Sequence, residues 1–196
     1  MEKTTYSKIY RVIHWAIGIS FLLLLVTIFL RSTWLNKRHL ADIIQNYLQG
    51  TDQTLSRKQI WALAGQIRHP MWQWHIYLGY VLTGLFAIRF TLPLFGEMKF
   101  QNPLGKGLSA KEKMKKWTYI IFYVCVVGSL TTGLLIEWGP GTWRRPLEEV
   151  HQLSIYYLLA FIVIHWAGVF IAEFTDEKGI VSRIVSGGKR RTGNFE

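Results

Sequence analysis

Four stretches that contain no charged side chain dominate the hydrophobic pattern of this chain. They cover residues 12–30, 69–88, 117–136 and 150–172, and they are 19, 20, 20 and 23 residues long. Because a helix rises about 1.5 Å per residue, each stretch can cross a hydrocarbon core of about 30 Å. The pattern predicts an all-α integral membrane protein, a bundle of four transmembrane helices, and it excludes an ordinary soluble domain.

We predict a single membrane domain over residues 1–196, with an outer connector at 32–68 and a polar cytoplasmic tail at 175–196, in which residues 187–191 are expected to be flexible. The first apolar stretch lacks a small-residue cleavage pattern at its end, so we expect a retained helix rather than a secretory signal. The predicted helices cover about residues 10–31, 70–94, 116–138 and 147–174.

The outer connector contains two groups of apolar residues at helical spacing, separated by Gly50. This pattern predicts two short amphipathic helices on the outer membrane surface. A small cap or a docking surface for a partner fits equally well. The groups are Leu40, Ile43, Ile44, Tyr47 and Leu48, then Ile60, Leu63, Ala64 and Ile67.

The charge pattern predicts the topology. The chain has 23 Lys and Arg against 12 Asp and Glu, a net charge of +11. If both termini are cytoplasmic, 15 of the 23 basic residues lie on that side, as the positive-inside rule requires. The basic residues flank apolar spans, which favours anionic lipid over nucleic acid as their partner. The single cysteine, Cys125, excludes a disulfide framework and a cysteine-based metal site.

Four of the six histidines lie within the predicted transmembrane helices. His14 is near the inner end of the first helix, and His75 is near the outer end of the second. In the fourth helix, the 14 residues from His151 to His165 correspond to about 21 Å of rise and about 1400° of rotation. Both rings should therefore leave one face at two depths. We expect His14 to face His165 at the inner depth, and His75 to face His151 at the outer depth.

Two imidazoles that converge from two helices are suitable axial ligands for a haem iron. Two such pairs predict two haems, and filled axial positions indicate electron transfer. A single intramembrane histidine is more often a hydrogen-bonding group or part of a proton path, but four at matched depths favour haem. Zinc fits less well, because the two predicted pairs are about 21 Å apart with no cysteine or acidic residue at their depth.

Glycines close to three of these histidines are consistent with a flat macrocycle against the helices. Gly18 and Gly79 each follow a histidine by four residues, and Gly168 follows His165 by three. Small residues that simply let helices approach one another explain them too. His39 and His69 are expected to be ordinary interfacial residues, with His69 as the alternative to His75.

Arg89 is an unusual charge at the inner depth, fourteen residues after His75. Two interpretations are open: it pairs with a propionate of the inner haem, or it snorkels to the cytoplasmic headgroups.

The arrangement resembles the bacterial cytochrome b561 and nickel-iron hydrogenase b-type cytochrome superfamily. The similar features are Ile13-His14-Trp15, Trp74-His75 with Gly79, the two histidines of the fourth helix, and the repeated pentapeptide Val-Ile-His-Trp-Ala at 12–16 and 163–167. The resemblance implies a di-haem b protein of the bacterial inner membrane that exchanges electrons with quinone. By position, His14 and His165 would ligate the cytoplasmic-side haem, and His75 and His151 the outer one.

The resemblance implies transmembrane electron transfer, as an electron-transfer protein or a quinol-oxidising cytochrome b of a respiratory chain. Lys115, Lys116 and Tyr119 are then candidate quinol contacts. A first alternative is a membrane-anchor subunit for an oxidoreductase of the hydrogenase, formate dehydrogenase or thiosulfate reductase type. A second alternative is a haem-free transporter or proton channel with histidines and Arg89 along a polar path.

Overall fold

The structure, a computed structural model, describes residues 6–100, 102–175 and 178–187. Within these ranges the regular secondary structure is entirely helical. The α-helices are α1 (Lys8–Ser32), α2 (Lys37–Gln49), α3 (Arg57–Thr91), α4 (Ala110–Trp138), α5 (Arg144–Gln152), α6 (Ser154–Phe174) and α7 (Ile180–Ser186). Short 3-10 helices follow α3 at Leu92–Phe95 and precede α5 at Gly141–Trp143.

Four helical stretches are long and apolar enough to span a membrane. They are Lys8–Ser32, Arg57–Phe95, Ala110–Trp138 and Gly141–Phe174, with mean hydropathies of 2.4, 1.6, 2.1 and 2.1. Between 6% and 22% of the residues in these spans are buried inside the protein, so most of their apolar surface is available to lipid tails. The predicted all-α architecture with four membrane spans is confirmed.

The connector helix α2 begins and ends at side chains suited to those positions. The side chain of Asn36 accepts a hydrogen bond from the backbone N–H of Arg38, and the backbone N–H of Gly50 caps the last turn. Helix α4 begins with a capping box, in which Ser109 and Glu112 each bond the other's backbone N–H. The local sequence therefore fixes these helix ends before any tertiary contact forms.

The second amphipathic segment of the connector is not a separate helix. Helix α3 begins at Arg57 and runs without a break through Pro70 into the membrane span. The sequence pattern had suggested a helix start near residue 70, because proline favours the first turn of a helix. Within α3, Pro70 lacks the backbone N–H that an α-helix uses for a hydrogen bond, yet the helix continues on both sides of it. His69 accordingly lies inside a helix, where it remains exposed.

The fourth span is also less regular than its composition suggests. Helix α5 ends at Gln152, Leu153 forms a turn with φ −65° and ψ −15°, and α6 begins at Ser154. A turn with these angles is tighter than an α-helical turn. His151 and His165 therefore lie on two successive helices, and the rotation expected from one straight helix does not apply between them.

The chain divides into two compact units, residues 16–87 and the combination of residues 1–15 with 88–196. In the first unit, the apolar face of α2 packs on the start of α3 around the buried side chains of Ala41, Ile60 and Ala64. Within the membrane part of the same unit, the rings of Phe21 and Phe86 meet edge to face at 6.0 Å. The two amphipathic stretches thus bury part of their apolar surface against each other.

In the second unit, α4 packs against α6 through aromatic and branched side chains. The rings of Phe122 and Phe161 stack at 3.5 Å, and Val126 and Leu158 are buried beside this layer. The sequence did not predict α7, which follows Gly179 in a left-handed conformation. Arg11 donates a hydrogen bond to a backbone carbonyl of α7, at Val185. Residues 188–196 lie outside the described residues, and they include most of the segment predicted to be flexible.

Candidate functional site

His14 and His165 face one another within one compact unit. Their ring centres are 5.9 Å apart and their planes are inclined by 45°. Bonds between a metal and an imidazole nitrogen are about 2 Å long, so two rings on opposite sides of one metal have centres about 6 Å apart. The observed spacing matches that arrangement. The residues predicted to meet at the inner depth are thus brought together.

Aromatic side chains surround this pair of rings. Tyr10 stacks on His14 with 6.3 Å between ring centres, and Phe161 stacks on His165 at 5.6 Å. The hydroxyl of Tyr119 lies 3.4 Å from Nδ1 of His165, at the long end of hydrogen-bonding distance. Ring stacking, more than hydrogen bonding, therefore orients these two histidines.

His151 is held by hydrogen bonds from α4. Its Nδ1 lies 3.0 Å from the backbone carbonyl of Ser129 and 3.0 Å from the hydroxyl oxygen of Thr132. Because a carbonyl can only accept, Nδ1 carries the hydrogen, and in a neutral ring Nε2 then carries the lone pair. Metal-ligating histidines typically have this arrangement, in which a protein group fixes the other ring nitrogen.

The carbonyl that orients His151 belongs to a polar cluster between α4 and α6. The hydroxyl of Ser129 lies 2.5 Å from that of Ser154 and accepts a hydrogen bond of 2.9 Å from Tyr157. On the same side of α4, a Cβ added to Gly133 would lie 3.1 Å from Cε1 of His151. The position of the imidazole is thus set by hydrogen bonds and by the absence of a side chain at Gly133.

His75 has a comparable environment in the other unit. Its Nδ1 lies 2.8 Å from the hydroxyl of Thr27, which itself donates a 2.6 Å hydrogen bond to the carbonyl of Leu24. The hydroxyl hydrogen is therefore engaged, so Nδ1 is the donor to Thr27 and Nε2 carries the lone pair. The ring of Trp72 stacks on His75 at 4.5 Å. His75 and His151 belong to different units, and their predicted pairing stays a prediction.

The sequence did not single out Thr27, Ser129 or Thr132 as partners of the histidine rings. Their only signal was that they are hydroxyl-bearing side chains inside charge-free stretches, where each must find a hydrogen-bond acceptor. Of the two histidines set aside, His39 lies on α2 and His69 on α3, and both are exposed.

A sequence model of the prokaryotic cytochrome b561 family matches residues 5–187. The chain belongs to the prokaryotic cytochrome b561 family. Membership implies electron transfer through b-type haem in a multi-pass membrane protein, and it confirms the resemblance drawn from the histidine motifs. The haem-free transporter is thereby excluded. No curated protein and no solved structure matches the chain significantly.

The residues present fit a b-type haem. Within the described ranges, no three His, Cys, Asp or Glu side chains converge on a common point that could hold a bare metal ion. A haem iron needs only two protein ligands, since the macrocycle supplies four nitrogens, and a facing pair of imidazoles provides those two.

The glycines beside the histidines are consistent with the same cofactor. A Cβ added to Gly18, Gly79 or Gly168 would meet no described atom within 4 Å, so the helix surface there can accept a flat ring. Gly84 and Gly128 share this property, so open space beside a glycine does not by itself indicate a haem site.

Proposed function

We propose that this cytochrome carries electrons across the membrane through two b-type haems and exchanges them with the quinone pool as a quinol-oxidising cytochrome b. His14 and His165 would ligate one haem, and His75 and His151 the other. The observation that carries the proposal is the 5.9 Å separation of the His14 and His165 rings. Support for the second pair comes from the hydrogen bond that each of its members makes through Nδ1.

The protein side chains have three tasks in this function. The four imidazoles bind through neutral nitrogen, and the tautomers of His75 and His151 are set before binding by Thr27 and Ser129. The aromatic layer around His14 orients its ring. When bound, the haem supplies a one-electron redox centre. Because two histidines would hold each haem, the protein would favour electron transfer over the binding of a small ligand.

Quinol would dock near the start of α4. Oxidation of a quinol to a quinone releases two electrons and two protons, so the docking residues must hold the quinol oxygens and lie where the protons can reach solvent. Tyr119 lies beside His165 and Lys115 is exposed on the same helix. Lys116 already donates a 3.3 Å hydrogen bond to the backbone carbonyl of Asn102, which ties this helix start to the preceding loop.

The orientation with both termini in the cytoplasm rests on the distribution of Lys and Arg. It places the start of α4 at the cytoplasmic leaflet and the connector with α2 outside. Single cysteines in a Cys125→Ser background can test it. A cysteine at Asp52 should react with an impermeant maleimide in intact cells, and a cysteine at Lys113 should not. The reverse labelling would overturn the orientation.

Optical spectroscopy tests the proposal most directly. Purified protein should show the reduced-minus-oxidised bands of low-spin haem b, with two haems per chain. A short-chain quinol should reduce them in the absence of any partner protein. A preparation with one haem per chain would contradict the second histidine pair. Haem that dithionite reduces and quinol does not would contradict the quinone proposal.

A second candidate function is that of a membrane-anchor subunit. The observation in its favour is a groove of about 740 Å³ between α2 and the start of α3, lined by polar and apolar side chains that include Arg38, Asp42, Leu55 and Trp61. Such a groove could seat a segment of an extracytoplasmic oxidoreductase. Quinol-dependent reduction of a soluble acceptor by the isolated chain would count against it.

A further inference from the structure

Arg89 is a buried charge in the last turn of the membrane-spanning part of α3. Only 6% of its surface is exposed. Its Nε donates a hydrogen bond of 3.1 Å to the hydroxyl of Tyr123, and its guanidinium lies 4.6 Å above the ring of Phe100. A snorkelling arginine would extend its charged end into the headgroup layer and be exposed there. Arg89 instead points into the protein, which argues against that interpretation.

The guanidinium of Arg89 is incompletely satisfied. Its Nη1 is buried and has no hydrogen-bond partner in the described part of the chain. No described carboxylate lies within ion-pair distance of it. A buried charge without a counter-ion is costly, and arginine cannot lose its proton to avoid that cost. The side chain is therefore arranged for an anion that the described part of the chain does not provide.

The position of Arg89 relates it to the His14–His165 pair in the same unit. Tyr123, which holds Nε of Arg89, lies one helical turn after Tyr119, whose hydroxyl is 3.4 Å from His165. Tyr10, which stacks on His14, belongs to the same unit as Arg89. The unpartnered nitrogen thus belongs to the same unit as the two histidine rings and is linked to His165 through two tyrosines that are one turn apart on α4.

We propose that Arg89 is the counter-ion of an anionic oxygen group bound beside His14 and His165, and that this group is a propionate of the haem held by those two rings. The inference rests on the proposed function. Nη1 and Nη2 of a guanidinium suit a carboxylate, and such charge-assisted hydrogen bonds are the stronger kind. The phosphate of an anionic lipid has similar chemistry and is the source that the experiment must distinguish.

Reconstitution with an esterified cofactor tests this pairing. Full-length apoprotein is loaded with haem b or with haem b dimethyl ester, whose propionates carry no charge, and the affinity is followed at the band that His165→Ala removes. Wild type should prefer haem b by about tenfold, the value of one charge-assisted hydrogen bond. Arg89→Gln should bind both forms with equal affinity. A purely structural role for Arg89 would weaken both forms alike.

Three variants serve as controls. Arg89→Lys keeps the charge and should retain part of the preference, which guards against a folding defect in Arg89→Gln. Tyr123→Phe removes only the hydroxyl that holds Nε and should reduce the preference less than Arg89→Gln does. Arg144→Gln removes an exposed arginine that pairs with Glu148, and it should leave the preference unchanged.

The outcomes separate the possible sources of the anion. Equal affinity of wild type for both cofactors overturns the proposal, while haem binding itself leaves the proposed function intact. If phosphatidylglycerol vesicles stabilise wild-type apoprotein but not Arg89→Gln, and the ester preference does not depend on Arg89, the anion is a lipid phosphate and the propionate assignment is wrong. Failure of wild type to bind haem at all would instead contradict the proposed function.

Discussion

The histidines of this cytochrome are oriented in two different ways. Around His14 and His165 the contacts are aromatic, and the one hydrogen bond to a ring nitrogen is long, at 3.4 Å. His75 and His151 are fixed through Nδ1 by bonds of 2.8 and 3.0 Å. Stacking limits where a ring lies, whereas a hydrogen bond also determines which nitrogen carries the proton. The contacts around His14 and His165 thus keep the two rings close together. The hydrogen bonds of His75 and His151 determine that Nε2 is the nitrogen that carries the lone pair.

The largest expected effect comes from removing a histidine of either kind. His165→Ala should lose one haem and keep the other, and His151→Ala should lose the complementary haem, since each haem needs two axial ligands. The measurement is the haem-to-protein ratio with a reduced-minus-oxidised spectrum. His39→Ala, which removes an exposed histidine on α2, is the matched control and should keep both.

Two double variants test which histidines share a haem. His14→Ala combined with His165→Ala should lose no more haem than either change alone, while His14→Ala combined with His75→Ala should lose both haems. Loss of the same haem from His14→Ala and His75→Ala would show that the histidines are paired differently.

The next effect should come from the hydrogen bond of 2.8 Å between Thr27 and His75. Thr27→Val keeps the side-chain shape, removes the acceptor for Nδ1, and should weaken retention of one haem by about 10-fold, as is usual for groups that orient metal ligands. Tyr119→Phe removes the 3.4 Å contact to His165 and should have a smaller effect. The rate of haem transfer to excess apomyoglobin measures haem retention in both variants. A larger effect from Tyr119→Phe would reverse the comparison.

Stacking around His165 should contribute less. Phe161 lies between Phe122 and His165, and an aromatic pair adds about 0.5–1.5 kcal/mol beyond the area it buries. Phe161→Leu should therefore lower the free energy of unfolding in a detergent titration by about 1 kcal/mol and broaden one haem band. Phe174→Leu, an exposed position of α6, is the control and should change neither property.

The smallest effect should come from crowding the His151 ring. A Cβ at Gly133 would lie 3.1 Å from Cε1 of His151, so Gly133→Ala must displace the ring by a few tenths of an ångström. We expect a small shift in the electron paramagnetic resonance signal of the haem that His151 ligates, without haem loss. Gly128→Ala, on the same helix with open space around it, should leave the signal unchanged. A signal shift in both variants would contradict the steric explanation.

The membrane spans could be predicted because lipid imposes a simple requirement. Every backbone polar group must be paired inside the hydrocarbon core, so an uncharged stretch of sufficient length becomes a helix. Local signals also gave α2, from the apolar repeat that ends at Gly50. The same reasoning did not give the start of α3, since the charge-free stretch begins at residue 69 whereas the helix begins at Arg57 and continues through Pro70.

Hydrogen-bond partners were the less predictable part of the site. The positions of the histidines follow from counting residues along helices, but Thr27 is 48 residues from His75, and Ser129 is 22 residues from His151. Contacts over such separations depend on how the helices pack. The turn at Leu153 and the short helix α7 were also not predicted from the sequence.

Helix α3 is one unbroken element of 35 residues, about 52 Å long, and His75 follows its start at Arg57 by about 27 Å. One continuous helix therefore lines the groove beside α2 and also carries the imidazole of His75. Pro70, five residues before the ring, is its weakest point against bending. A molecule bound in the groove would therefore contact the same helix that positions His75.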